Sequence, residues 1–136
     1  MDDRARRDLI RLWLEKARDD LATAEDDLKL NHTRGAVNRS YYAIFHAATA
    51  ALLWLGEERV KHSGVQSAFG ERFIATGLFE PEYGRIYTRA RKEREEADYQ
   101  PASPVPTEAE ANTRLDESRR FVMRVEQYLR EVGALE

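Results

Sequence analysis

Apolar residues in this chain recur at steps of three and four, and nowhere do they alternate with polar ones over a strand-length segment. Side chains return to the same side about every 3.6 residues in a helix but every second residue in a strand, so this spacing admits helices and no sheet. Leu9, Ile10, Trp13, Leu14, Ala17, Leu21, Ala24 and Leu28 form one stripe with charges opposite. The stripe predicts a long first helix from about Arg6 to Leu30. Asn31-His32-Thr33 interrupts it with short polar side chains. Thr33 is the expected N-cap of a second helix running from about Arg34 to Leu55 and stopping near Gly56.

Ser63 with Gln66 reads as a capping box that opens a shorter third helix carrying Val65, Phe69 and Phe73 and ending before Gly77. Pro81 suits the first position of a fourth helix, where its missing N–H costs nothing. Tyr83, Ile86, Tyr87, Ala90 and Ala97 give that helix its inner face, and it fades near Tyr99. Pro101, Pro104 and Pro106 cannot continue it. Thr107 and Glu110 then form a second capping box ahead of a fifth helix marked by Leu115, Ser118, Val122, Val125, Leu129 and Val132. The expected fold class is all-α, an antiparallel up-and-down bundle of four long helices plus one short helix. The first, second and fifth should lie side by side, with the third and fourth filling an end or side.

A length of 136 residues fits one core, so residues 1–136 are expected to form a single domain. The longest apolar run, Ala43 to Leu55, is interrupted by His46 and Thr49 and is too short to span a membrane. The charged start Met1-Asp2-Asp3-Arg4 lacks an export signal. The absence of cysteine excludes disulfides, thiolate zinc sites and cysteine nucleophiles. A cytoplasmic setting is expected. With 22 basic against 25 acidic residues the net charge is −3, which is not the field of a dedicated duplex-DNA binder. Any nucleic-acid contact must be local.

The segment Asn38-Arg39-Ser40-Tyr41-Tyr42-Ala43-Ile44-Phe45-His46-Ala47 is dense in aromatic and small residues together. Seven residues advance a helix by nearly two turns, so Arg39 and His46 share a face with Tyr42 and Ala43 between them. Tyr41, Phe45 and Leu52 follow a neighbouring stripe suited to the core. A guanidinium can hold a phosphate and counter its developing charge, and an imidazole exchanges protons near neutral pH. In metal-free RNA cleavage the nucleophile is a 2′-hydroxyl, so neither metal ligands nor cofactors are required. The spacing alone carries no weight, because 18 arginines and 3 histidines supply about one such pair by chance. Without further context His46 reads as a histidine satisfied inside the bundle or at an interface.

The whole segment, however, resembles the signature helix of HEPN proteins, particularly small stand-alone prokaryotic members. The likeness continues through Lys61-His62-Ser63-Gly64-Val65 toward Phe69 and Phe73, then Arg94-Glu95-Glu96-Ala97-Asp98-Tyr99, and a helix near Phe121-Val122, covering about Leu9 to Leu129. This resemblance implies a helical bundle, usually a homodimer with paired active faces. In many members an Arg-x4–6-His motif cleaves RNA without metal, and here Arg39 and His46 match it as catalytic residues. Such members often act as toxins beside a minimal nucleotidyltransferase antitoxin, whereas others are non-catalytic modules that bind a nucleotide or a partner protein.

Five more residues are candidates for substrate binding, each with a plainer alternative. Asn38 could orient the arginine or touch phosphate, or simply meet solvent. Tyr42 could stack on a base, or pack at a helix seam. His62 could be brought to the site from the third helix entry, or be structural there. Asp98 and Tyr99 end the fourth helix, where a carboxylate meets exposed carbonyl dipoles and needs a basic partner, for which Arg39 is a candidate. Arg85, Arg89, Arg91, Lys92 and Arg94 could form an RNA track, but Glu93, Glu95 and Glu96 among them favour a salt-bridged surface.

Overall fold

The computed structural model describes residues 1–135 and is helical throughout, with no strand among the described residues. Helix α1 spans Asp3–Lys29, α2 Thr33–Trp54, α3 His62–Phe69, α4 Pro81–Tyr99 and α5 Glu108–Glu131. A π-helical turn, Gly70–Ile74, extends α3. Four long helices and one short one therefore form the bundle anticipated from the periodicity. Of the two places left open for α4, the structure shows the side: it packs on α2 and α5.

α2 is the axis. It is apolar nearly all round, and Ala43, Ala47, Ala48, Ala50 and Ala51 let α1, α4 and α5 approach its backbone closely. Helices that are apolar on every side are buried centrally, whereas α1 and α5 each bury a single stripe. An aromatic cluster of Phe69, Phe73, Phe79, Tyr87, Phe121 and Tyr128 seals the end where α3 and the π-helical turn meet α4 and α5. Ser118, which the α5 stripe includes, is fully buried and donates to the Ser40 carbonyl at 2.6 Å, tying α5 to the middle of α2.

The termini of the elements test the capping expectations one by one. Thr107 and Glu110 close a reciprocal capping box at α5, and Pro81 occupies the first turn of α4. Thr33 is not a cap: it is the first helical residue of α2, and His32 holds the N-cap position without a side-chain bond. The turn into α2 is made instead by Asn31, at φ 60, and by the His32 N–H donating to the Asp27 carbonyl at 2.7 Å. Ser63 is not a cap either. α3 begins at His62 with Lys61 as N-cap, so Ser63 falls inside the first turn and Gln66 reaches away to Thr88 and Arg91. Asp2 caps α1 by accepting from the Ala5 N–H at 2.8 Å. No described helix is long and apolar enough to cross a membrane.

Candidate functional site

α2 leaves Asn38 and Tyr42 partly exposed, with Arg39 and His46 on the flank facing α1 and Tyr41 and Phe45 buried on the flank facing α3. What joins Arg39 to His46 is a carboxylate from another helix. Asp20 of α1, only 5% exposed, accepts from His46 Nδ1 at 2.6 Å through one oxygen and from Arg39 Nη1 at 3.1 Å through the other. Trp13, roughly two turns earlier on α1, stacks on the His46 ring with centroids 5.4 Å apart. The two residues matched to the motif are thus brought together as expected, through a group that the sequence reading did not select. A signal for it existed. Asp20 lies three residues after Ala17 and four before Ala24, in register with the apolar stripe where a carboxylate needs a buried partner.

The Asp20 contact fixes the imidazole. With Nδ1–H donated to the carboxylate, the other ring nitrogen carries the chemistry, as in any carboxylate-oriented histidine. Nε2 has no hydrogen-bond partner in the chain and is not among the sealed, unsatisfied polar atoms, so a ring only 6% exposed still touches solvent through that edge. Arg39 is held on a second side. Its Nε and Nη2 both donate to the Asn38 side-chain carbonyl, at 3.0 and 2.9 Å, and its guanidinium lies 4.5 Å from the Tyr42 ring centroid. A planar guanidinium has five N–H donors, so Arg39 keeps free donors for an incoming oxyanion after these contacts.

Asn38 passes the network on, its amide donating to Asp98 at 2.7 Å. The expected ion pair between Arg39 and Asp98 is therefore replaced by an amide bridge. The basic partner of Asp98 is Arg94, one turn earlier on α4, at 3.6 Å. Arg94 is itself 5% exposed and lies over the Tyr41 ring at 4.7 Å, with Tyr99 at 5.5 Å; its Nη1 reaches the Tyr99 hydroxyl at 3.5 Å, and its Nε has no partner. Its register, four residues after Ala90, is again the signal of a polar group on an inner face. A groove of about 530 Å³, lined by Thr23, Asp27, Arg34, Gly35, Asn38, Arg39, Ala97 and Asp98, opens beside this chain of contacts.

On the α3 side, His62 Nδ1 lies 3.1 Å from the Tyr41 hydroxyl, and its ring packs 4.3 Å from Phe45 and 5.5 Å from Tyr42. Tyr42 is thus flanked by two guanidinium groups and two imidazoles. Burial pushes the Tyr41 hydroxyl up to about 12, against the pull of Arg94 and Arg91. His62 is lowered from an imidazole's ordinary value, first by burial and then by Arg94, Arg91 and His46. Tyr41 and Phe45 are buried in the core as their stripe suggested. Arg89 and Arg91 pair with Glu117 and Glu95, which favours the salt-bridged reading of that run, while Tyr99 stands 66% exposed at the rim. Among the described residues no group of three or more His, Asp or Glu side chains is placed to hold a metal ion.

The HEPN domain family is matched over residues 10–128. A Methanocaldococcus jannaschii protein, MJ0605, whose name marks it as a candidate toxin, is 39% identical over 93% of this chain and 92% of its own length. A UPF0332 protein of Thermotoga maritima is 41% identical over 67% of this chain and 69% of its own. The crystal structure of TT1696 from Thermus thermophilus superposes with a TM-score of 0.73 at 23% identity, over 87% of this chain and 96% of that one, and shares the fold.

Proposed function

The chain belongs to the HEPN family, and from that premise we propose that it is a metal-independent endoribonuclease acting as the toxin of a toxin–antitoxin pair. The observation that carries the reading is the single Asp20 carboxylate bound to both Arg39 and His46. It sets a phosphate-holding fork and a proton-transferring ring side by side, each with unused donors or lone pairs. Arg39 holds the non-bridging oxygens of a phosphodiester and offsets the charge that grows on them as the neighbouring 2′-oxygen attacks phosphorus. His46 exchanges a proton through Nε2, and Asp20 stabilises the positive ring. Asn38 and Tyr42 hold the guanidinium in place. The relative named as a candidate toxin supports the biological role. The working unit is a homodimer, neutralised by a minimal nucleotidyltransferase antitoxin.

The test is RNA cleavage by the purified protein beside His46→Ala and Arg39→Ala. His46→Ala is expected to lose roughly 10²- to 10⁴-fold, the usual worth of a positioned proton-transfer group, and Arg39→Ala roughly 10²- to 10³-fold, the worth of a donor aimed at developing charge. Equal cleavage by all three proteins contradicts the reading.

One observation favours a second reading, a non-catalytic module that binds a nucleotide or a partner protein. The net charge is −3 and the α4 arginines Arg89 and Arg91 are already paired with glutamates, which leaves little field for a long RNA. Expression separates the two: growth arrest relieved by His46→Ala supports the nuclease, and arrest that persists in the variant supports the module.

A further inference from the structure

Cleavage by a 2′-hydroxyl needs two proton transfers, one from the attacking oxygen and one to the leaving oxygen, and these oxygens lie roughly in line on opposite sides of phosphorus. One imidazole cannot serve both at once. His46 stands on the α1 flank of Tyr42, with its ring centroid 5.9 Å from Tyr42. His62 stands on the α3 flank, 5.5 Å from the same ring. Resting on the ribonuclease reading above, we infer that His62 is the general base of the reaction and His46 its general acid, with the scissile phosphate lying across Tyr42 between them.

The surroundings divide the roles. His46 has a carboxylate at Nδ1, which fixes the ring so that Nε2 is the nitrogen that delivers a proton. His62 has no carboxylate partner: its polar neighbours are Tyr41, Tyr42 and His46 on α2 and Arg91 and Arg94 on α4. Burial, and then those cations, lower its affinity for a proton below that of a free histidine. In the tautomer that a base requires, Nδ1–H of the neutral ring donates to the Tyr41 oxygen and the lone pair is carried by Nε2, which has no hydrogen-bond partner in the chain.

The step balances without a metal or co-reactant. His62 Nε2 takes the 2′-hydroxyl proton as the 2′-oxygen bonds to phosphorus. The bond from phosphorus to the 5′-oxygen breaks, and that oxygen takes the Nε2 proton of His46. The products are a 2′,3′-cyclic phosphate and a 5′-hydroxyl end, and before the next turnover His62 releases its extra proton to solvent while His46 takes one up.

Single-turnover cleavage tests the assignment with wild type, His62→Ala, His46→Ala and Arg39→Ala on two short RNAs. One is ordinary, and in the other the 5′-bridging oxygen at the cleavage site is replaced by sulfur, a leaving group that needs no acid. His62→Ala is expected to lose about 100-fold or more on both substrates. His46→Ala should lose as much on the ordinary RNA and recover on the sulfur substrate. Wild type should speed up with rising pH as His62 loses its proton, and His62→Ala should lack that limb. Tyr41→Phe keeps the ring but removes the acceptor at Nδ1, and should slow the step without changing KM, even if His62→Ala loosens the fold. Full activity in His62→Ala beside dead His46→Ala and Arg39→Ala overturns this inference alone, as does sulfur rescuing His62→Ala and not His46→Ala. Absence of cleavage by wild type removes the ribonuclease reading and this inference together.

Discussion

Asp20 meets a demand that neither of its partners could meet alone. A carboxylate this buried is costly unless paired, and here both oxygens are satisfied by cationic or protonatable donors. Asp20→Ala is expected to destabilise the protein by about 2 to 3 kcal/mol in urea melts, below the roughly 3–5 for a fully buried pair because the Arg39 side chain is 34% exposed. Asp20→Asn preserves shape and should cost less stability, yet it should lower cleavage about as much as losing His46, since an amide neither holds the ring tautomer nor balances its charge. A variant that melts like wild type and cleaves like wild type would leave Asp20 with no part in the site. His62 also ties stability to pH. Its folded value lies below the ordinary 6.5, so near that pH the unfolded chain binds more protons than the folded one. That contribution to stability is present above 6.5 and is lost as pH falls through the folded value. His62→Gln should therefore show a shallower loss of Tm than wild type as pH is lowered from neutrality; identical slopes contradict this.

Among the elements, α1 and α5 were legible because each buries one stripe, and a stripe is a local pattern. Caps were legible only where the side-chain geometry is self-contained. The Thr107–Glu110 pair satisfies two backbone donors reciprocally and needs nothing else, so Thr107→Ala should cost about 1 kcal/mol. Ser63 has the same spacing to Gln66, but α3 starts at His62, so Ser63→Ala should stay within about 0.5 kcal/mol in the same thermal melts. Comparable losses in both would mean that α3 is capped differently in solution. The π-helical turn at Gly70–Ile74 left no mark in the sequence, because one widened turn alters the periodicity less than a normal α3 frays.

Across the whole molecule, the bundle was readable and the site only half so. Arg39 and His46 are near in sequence and fall on one face by geometry alone. Asp20, Arg94 and the Tyr41–His62 contact arise where α1, α3 and α4 meet α2, and tertiary meetings are not written in any one segment. Asp98 shows the limit: its need for a basic partner followed from the helix end, but the partner proved to be Arg94, with Asn38 bridging to Arg39. At this scale a species of twice the 15.8 kDa chain mass is expected by sedimentation, and a monomer at all concentrations would contradict the paired assembly. Most direct of all is the chemistry of the ends left on RNA cut in the presence of a strong chelator. Undiminished cleavage is expected, leaving 2′,3′-cyclic phosphate and 5′-hydroxyl ends and disappearing with His46→Ala; 3′-hydroxyl and 5′-phosphate ends, or activity abolished by the chelator, would contradict a metal-free reaction run by Arg39 and His46.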